Sequence, residues 1–505
     1  MQTAELCAFI AYFVLVIGIG VYFFLKSRKG AGEKEYFLGG RNMNGAVAAL
    51  SAGASDMSAW VLMGLPGAIY ASGFGQIWIS VGLLIGTVLA WIFVAPRLRT
   101  FSIKANDSIT IPQFLTNRFK SENKVLQIVC AFVFIVAYCI YAASSISACG
   151  DLFQTVFDLK SKLVPMIIAA VIIIVYTFLG GFNAVCWTDF FQGLLMLAAL
   201  MVVPIVALFA INGSSFTAPT AALGENYYNF LSSGKLDGAS VVDIISGLGW
   251  GLGYFGMPHI LIRYMSIRSR KEMNRSRVIG SCWTALILIM ASIVGIVGRK
   301  YLGDALIASG ETSKVFITMV RDVFPALLSG ILLSAILAAS MSTADSQLLA
   351  SSSAFASDVY KPVFRKDASD KEMLWAGRIV VIFIAVVALL IAVNPNSGGI
   401  MDLVSNAWGA FGAAFGPTIL LALYWKRFNY AGAVSGIATG FVVDVAWLYL
   451  IAPRLTGALG GLYEIIPGFA AGLLVCIVVT LATAAPGEDV VKYFDEAVEF
   501  TKNEE

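Results

Sequence analysis

Histidine is almost missing from this chain: one, His259, in 505 residues. Charged residues are scarce too, at 13%, about half the share of a soluble domain. The seven cysteines (Cys7, Cys130, Cys139, Cys149, Cys186, Cys282, Cys476) form no CxxC pair and fall mostly in apolar stretches. Each scarcity removes a class of chemistry. With one histidine and scattered thiols there is no clustered metal site and no nucleophile–base constellation, so a membrane enzyme is disfavoured. The cysteines read as packing residues rather than disulfides. Glu5 precedes the first apolar run and no basic n-region is present, so no cleavable signal peptide is expected.

What remains is apolar: 59% of the residues are hydrophobic, which marks a polytopic membrane protein. Runs long enough to cross a bilayer lie near 5–25, 45–67, 76–95, 124–149, 162–180, 188–211, 240–258, 278–298, 324–352, 374–393, 400–425, 430–451 and 462–485. That is about thirteen spans in a single all-α transmembrane domain over 1–485. The acidic tail 486–505 has room for at most a short surface helix. Lys and Arg set the orientation. With the N-terminus outside and the C-terminus cytoplasmic, 25 of the 34 basic residues fall on the inside, in KSRKGAGEKEYFLGGR, PRLRTFSIK, NRFKSENK, RYMSIRSRKEMNRSR, YKPVFRK with Lys371, WKRF, and Lys492 with Lys502. These loops face lipid headgroups, and nucleic acid is not an expected partner.

Three spans are unsuited to plain anchoring. The second, GAVAALSAGASDMSAWVLMGLPG (45–67), carries Asp56 among small residues. A mid-bilayer carboxylate costs roughly 2.5–3.5 kcal/mol on insertion scales, and small residues allow a helix to break beside a protein-lined cavity. The seventh, ISGLGWGLGYFGMPHI, holds five glycines, among them Gly249, Gly251 and Gly253, and then Pro258; either a break or a close-packed helix fits that composition. The two anomalies are five spans apart and therefore run in opposite directions, the pattern of a secondary transporter with inverted repeats and a binding site where the broken helices meet. In the ninth span, Ala339, Ser342, Thr343 and Ser346 share one helix face, with Asp345 beside them. Hydroxyl and carbonyl oxygens suit a hard cation such as sodium. Asp189 opens the sixth span either as an interfacial acid or as part of that site. The aromatic candidates are Trp60, Tyr141, Trp250 and Tyr254, of which Trp60 and Trp250 lie deep, beside the expected breaks.

These blocks, YFLGGR (36–41), LSAGASDMSAWVLMGLPGA (50–68), GLGWGLGYFGMPHIL (247–261), LSAILAASMSTADSQLL (333–349) and GLYEIIPGF (461–469), resemble the sodium/solute symporter family, and within it the sodium/proline branch, over nearly the whole length. The resemblance implies a LeuT-like fold: an extra first helix, two inverted five-helix repeats (about 41–211 and 240–425) broken in spans two and seven, and two further helices. It implies a sodium site of the Ala54, Met57 and Ala339 carbonyls with the Ser342 and Thr343 hydroxyls. Asp56, Ser58, Asp189, Asp345 and Ser346 would be supporting or second-sodium residues, and Arg41 with Gly249, Gly251 and Gly253 gating or structural ones. Trp60, Tyr141, Trp250, Tyr254 and Pro258 would form the substrate pocket. The implied activity is sodium-coupled import of L-proline through the plasma membrane by alternating access, with no cofactor besides Na+ and a monomer as the expected state. Rivals are another small amino acid, a sugar or a carboxylate in the same family, or a channel.

Overall fold

The structure is a computed structural model and describes residues 2–27, 33–179, 181–211, 224–231 and 236–503. Part of the first basic segment (28–32), Gly180 at the end of the fifth apolar run, and the last two residues of the tail lie outside these.

Among the described residues the architecture is helical, with one isolated bridge between Met43 and Ile267. The membrane helices are α1 (Gln2–Ser27), α2 (Gly45–Asp56) continuing after a break as α3 (Leu65–Ser72), α4 (Ile77–Leu89) running on into α5 (Ala95–Lys104), α6 (Val125–Phe157), α7 (Leu163–Leu179) and α8 (Phe182–Ala210). They continue with α9 (Gly238–Gly249), a 3-10 turn Trp250–Phe255, α10 (Pro258–Ser266), α11 (Arg270–Leu302), α12 (Ala326–Ser353), α13 (Asp370–Val393), α14 (Ile400–Tyr424), α15 (Tyr430–Ala446) and α16 (Ile465–Ala482). Among the described residues ten helices are long and apolar enough to span, or eleven when the bent pair α2/α3 counts as one; α7 is shorter. The thirteen spans expected are therefore not reached by length and composition alone, because the fifth, α7, is too short and the seventh apolar run is divided into pieces too short to qualify singly.

Local sequence explains where the helices start. Asn44, Asp237, Ser269, Ser369 and Asn429 each turn a side-chain oxygen to an otherwise unpaired amide in the first turn of the following helix. Burial then sorts the helices. The most apolar stretches of α14 and of α12 with its π-helical continuation are 83% and 72% buried, whereas those of α1 and α16 are 28% buried. Leu15, Ile379, Leu390 and Leu474 are exposed, as side chains in contact with lipid are. At the periphery α15 packs on α16 through Gly432 and Gly436 and on α14 through Gly440, small residues at four-residue spacing. A Cβ at Gly436 would stand 2.0 Å from Cys476 Sγ, and one at Gly440 2.1 Å from the Ala413 carbonyl; only glycine allows backbones this close.

The tail differs from expectation. Glu488–Asn503 forms a sixteen-residue helix, α17, that is docked rather than free on the surface. Tyr493 donates to the Phe101 carbonyl at 2.7 Å, the Thr100 and Thr501 hydroxyls meet at 2.6 Å, and the Arg118 guanidinium lies 5.0 Å from the Phe494 ring. An amphipathic pattern that buries Val490, Tyr493, Phe494, Ala497 and Thr501 accounts for it.

Candidate functional site

The second span breaks where its sequence suggests. Met57 makes the last helical bond to Gly53 (2.8 Å), then leaves helical geometry, and the Ser58 amide turns back to the Asp56 carbonyl (3.0 Å). The chain resumes at Trp60, and the halves meet at 62°. In an unbroken helix the Ala54 carbonyl would accept from the Ser58 amide. Here it accepts from the Ser342 hydroxyl on α12, at 2.8 Å. Ser342 also lies 3.2 Å from the Ala339 carbonyl, and the Thr343 hydroxyl is buried without a partner. Of the five expected sodium ligands, the structure brings Ala54, Ala339 and Ser342 into one hydrogen-bonded group, with Thr343 on the next residue. Met57 sits in the break itself.

Asp56 ties the two broken spans together. Its carbonyl accepts from the Tyr141 hydroxyl (2.9 Å) and from the Trp60 indole (3.3 Å), and its carboxylate accepts from Tyr254 of span seven. Span seven is helical through Gly249, tightens to a 3-10 turn, and breaks only at Gly256–Met257; Pro258 opens α10. Its earlier glycines are close-approach residues rather than the break. A Cβ at Gly251 would lie 2.3 Å from the Gly82 carbonyl, and one at Gly253 2.0 Å from the Trp408 indole nitrogen. Trp408 in turn donates to the Trp250 carbonyl at 2.7 Å. The Trp60 and Trp250 rings stand 6.0 Å apart, and Trp250 also meets Tyr463 at 5.2 Å. A cavity of about 500 Å³ reaches Trp250 from the end of the bundle that carries Gly75, Pro453 and Tyr463.

Toward the opposite end lies a buried charge network built on Arg263, which by sequence falls among the loop cations. Arg263 is 2% exposed, inside α10. It reaches Asp189 (3.0 Å), Ser51 (3.0 Å), the His259 carbonyl (2.7 Å) and Ser346. Asp189 is buried too, so it is not an interfacial acid, and it accepts from Ser51 at 2.7 Å and from Ser346 at 3.3 Å. Asp345 is buried beside this group with neither carboxylate oxygen hydrogen-bonded. The signal for Arg263 was the one applied to Asp56: an ionisable residue inside an apolar run, HILIRYM. Nearby, Arg41 sits in left-handed backbone (φ 56°), a conformation costing about 1–3 kcal/mol. Bonds to Asp107 (2.7 Å), Ser102 (3.1 Å) and the Met265 (2.6 Å) and Ser108 (2.7 Å) carbonyls hold it there. Asp107, outside the spans, is pushed up by burial but held below the usual carboxylate range overall by Lys34 and Arg41. The backbone bridge at Met43 (Met43 amide to Ser266 carbonyl, 3.1 Å) joins the start of span two to the end of span seven.

Two broken helices held by one acid, a freed carbonyl facing a hydroxyl, and paired indoles below a cavity make a candidate ion and solute site inside a multi-pass membrane protein. The family model for the sodium:solute symporter family matches residues 36–440. The chain belongs to that family. It is 42% identical over 484 residues to the high-affinity proline transporter PutP of Bacillus subtilis (strain 168), covering 96% of this chain and 98% of the relative. It is 42% identical over 480 residues to the sodium/proline symporter of Staphylococcus aureus (strain USA300), covering 94% and 92%. The fold is that of a solved Na+-coupled sialic acid symporter in an outward-open, substrate-bound state, at a TM-score of 0.77 and 20% identity over 96% of this chain and 99% of the other. A weaker likeness, TM-score 0.54 at 15% identity over 89% and 95%, is to Mhp1, a nucleobase-cation-symport-1 family transporter in a closed conformation.

Proposed function

We propose that this protein imports L-proline across the plasma membrane, coupled to sodium, by alternating access. The observation that carries the reading is that one short stretch, Ala54–Trp60, faces both candidate ligands. Its freed Ala54 carbonyl meets the Ser342 hydroxyl, and Trp60, one turn on, faces Trp250. Sodium is held by the Ala54, Met57 and Ala339 carbonyls and the Ser342 and Thr343 hydroxyls. Proline lies with its apolar ring and secondary ammonium on Trp60 and Trp250, near Tyr141, Tyr254 and Pro258. Its carboxylate takes amide donors at the starts of the second half-helices. The residues offer oxygen donors and aromatic faces, which suit these two ligands, and few of the side-chain amides a sugar would require.

Sodium links span two to α12 and so raises proline affinity; linkage requires proline to raise sodium affinity equally. One sodium moving down 100 mV supplies about 2.3 kcal/mol, and a tenfold gradient about 1.4 kcal/mol more. Together they support roughly 500-fold accumulation at one-to-one coupling. One-to-one coupling is favoured because Arg263 already supplies a positive charge to Asp189 and Ser346, so a second sodium would compete with a guanidinium for the same oxygens. The repeats 41–211 and 240–425 rock about this site. The cavity end faces outside and the Arg41–Asp107 end the cytoplasm, as the distribution of Lys and Arg requires.

The test is radiolabelled proline uptake into proteoliposomes under imposed sodium or proton gradients, with unlabelled amino acids and sugars as competitors. Sodium-driven accumulation blocked by proline is expected. Uptake indifferent to the sodium gradient would overturn symport, and accumulation blocked better by another solute would overturn proline.

A further inference from the structure

The block GLYEIIPGF meets the site described above at Tyr463, and it also carries a buried acid. Glu464 precedes α16 and is 7% exposed; Asp444, on α15, is 1% exposed. Neither makes an ion pair among the described residues, and Asp444 Oδ1 and Glu464 Oε1 are both buried without a hydrogen-bond partner. The two oxygens face one point. A Cβ placed on Gly409 of α14 would stand 2.8 Å from Asp444 Oδ1 and 3.5 Å from Glu464 Oε1. The missing side chain of Gly409 thus leaves a small gap walled by two carboxylates.

Two carboxylates so placed do not both ionise without a compensating charge. The surroundings supply none. The ionisable groups on the elements packed around the pair are Asp402 on α14, Asp243 on α9, Tyr141 on α6, Tyr254 on the 3-10 turn, and Tyr463 beside Glu464. Arg454, in the segment joining α15 to α16, is exposed and donates to the Leu450 carbonyl. An alkali cation in the gap would need more oxygen ligands than these two, whereas a proton needs only two. We propose that Asp444 and Glu464 form a proton-binding site that holds one proton between them, filled from the cavity that Glu464 itself lines.

The site reaches the substrate region through one residue. Tyr463 is fixed by its hydroxyl on the Ser405 carbonyl (2.8 Å) and by its amide on Ser246 (3.1 Å), and its ring lies against Trp250. With the proton bound, an O–H···O bond across Gly409 holds the head of α16 to α15 and keeps Tyr463 on Trp250. Without it, two negative charges repel, Glu464 turns to the water of the cavity, and Tyr463 loses its seat.

The full chain in liposomes, read by infrared difference spectroscopy from acid to alkaline pH, tests the site without any transport assay. Wild type minus the double variant D444N/E464Q should show one protonated carboxyl band that disappears as pH rises and ignores sodium. G409A, which places a methyl group between the oxygens, should shift the pH at which the band is lost. A difference spectrum with no protonated carboxyl at any pH, or a band removed by sodium at constant pH, would overturn the proposal. The coupling rests on the transport reading and is measured separately. Labelled proline binding should weaken several-fold with alkaline pH in wild type and stay flat in the double variant. A wild-type affinity that stays flat would remove the coupling alone. Absence of proline binding would count against the transport reading and leave the infrared result standing.

Discussion

Replacing Ser342 by alanine separates the ion site from the solute site. The Ser342 hydroxyl is fully buried and 2.8 Å from an Ala54 carbonyl that has lost its helical partner to the break. Without sodium, Ser342→Ala leaves that carbonyl unsatisfied, at a cost of about 1–3 kcal/mol. With sodium it removes one oxygen from a charged ligand set, an interaction of about 1.5–3 kcal/mol. The first effect falls on folding stability and the second on ion affinity. Apparent sodium affinity should therefore fall about tenfold to a hundredfold, at 1.4 kcal/mol per decade. Because the lost contact is to the ion, saturating sodium should restore proline affinity to near the wild-type value. Ser340→Ala is the control: its hydroxyl is equally buried but, unlike that of Ser342, makes no hydrogen bond, and it is off the face shared by Ala339, Ser342 and Thr343. The assay is proline binding to purified protein across a sodium titration. An S342A variant whose proline affinity stays depressed at saturating sodium, or whose sodium dependence matches that of S340A, would refute the assignment.

Trp250→Ala should do the reverse, weakening proline binding at least tenfold with little change in sodium dependence, in the same titration. Arg263→Ala, which leaves Asp189 buried without its partner, should cost about 3–5 kcal/mol, measured as thermal stability in detergent; Arg263→Lys should recover only part, because one ammonium cannot reach the oxygens a guanidinium fork spans. Asp107, held below the usual carboxylate range, stabilises the Arg41 corner fully above about pH 4, and this contribution is lost as pH falls through its lowered value. Wild type should therefore lose more stability than Asp107→Asn over that acid range, and equal losses would discount the corner.

Much of this was legible in the sequence because a membrane penalises polar groups so heavily. Asp56 and the hydroxyls of the ninth span could not be there for solubility, and the structure finds them at one place. The same logic does not place Arg263, which ends an apolar run next to a basic loop; only its bonds to Ser51 of α2 and Asp189 of α8 show that it faces inward. The glycines of span seven were read correctly as unusual, but composition does not distinguish a glycine that frees the backbone from one that admits a neighbour. That distinction belongs to Trp408 and Gly82, far away in sequence. The docking of the acidic tail's helix is hidden for a related reason: its apolar face acquires a partner only when Phe101, Arg118 and the adjoining ends of the spans assemble beneath it.

Asp56 shows how coupling can arise without the acid touching the ion. Its carbonyl and carboxylate accept from Trp60, Tyr141 and Tyr254, so the break in span two and the turn of span seven share one anchor. The peptide that ends α2 also sets free the Ala54 carbonyl for Ser342. A cation drawn to Ala54 and Ser342 fixes where α2 ends, and the end of α2 fixes Asp56. Asp56 in turn fixes Trp60, Tyr141 and Tyr254, the three aromatic residues it holds. The path is three residues of backbone, Ala54–Asp56, and the three hydrogen bonds at Asp56. That is short enough for the ion and the solute to stabilise the same arrangement of the two broken helices, which is what symport requires.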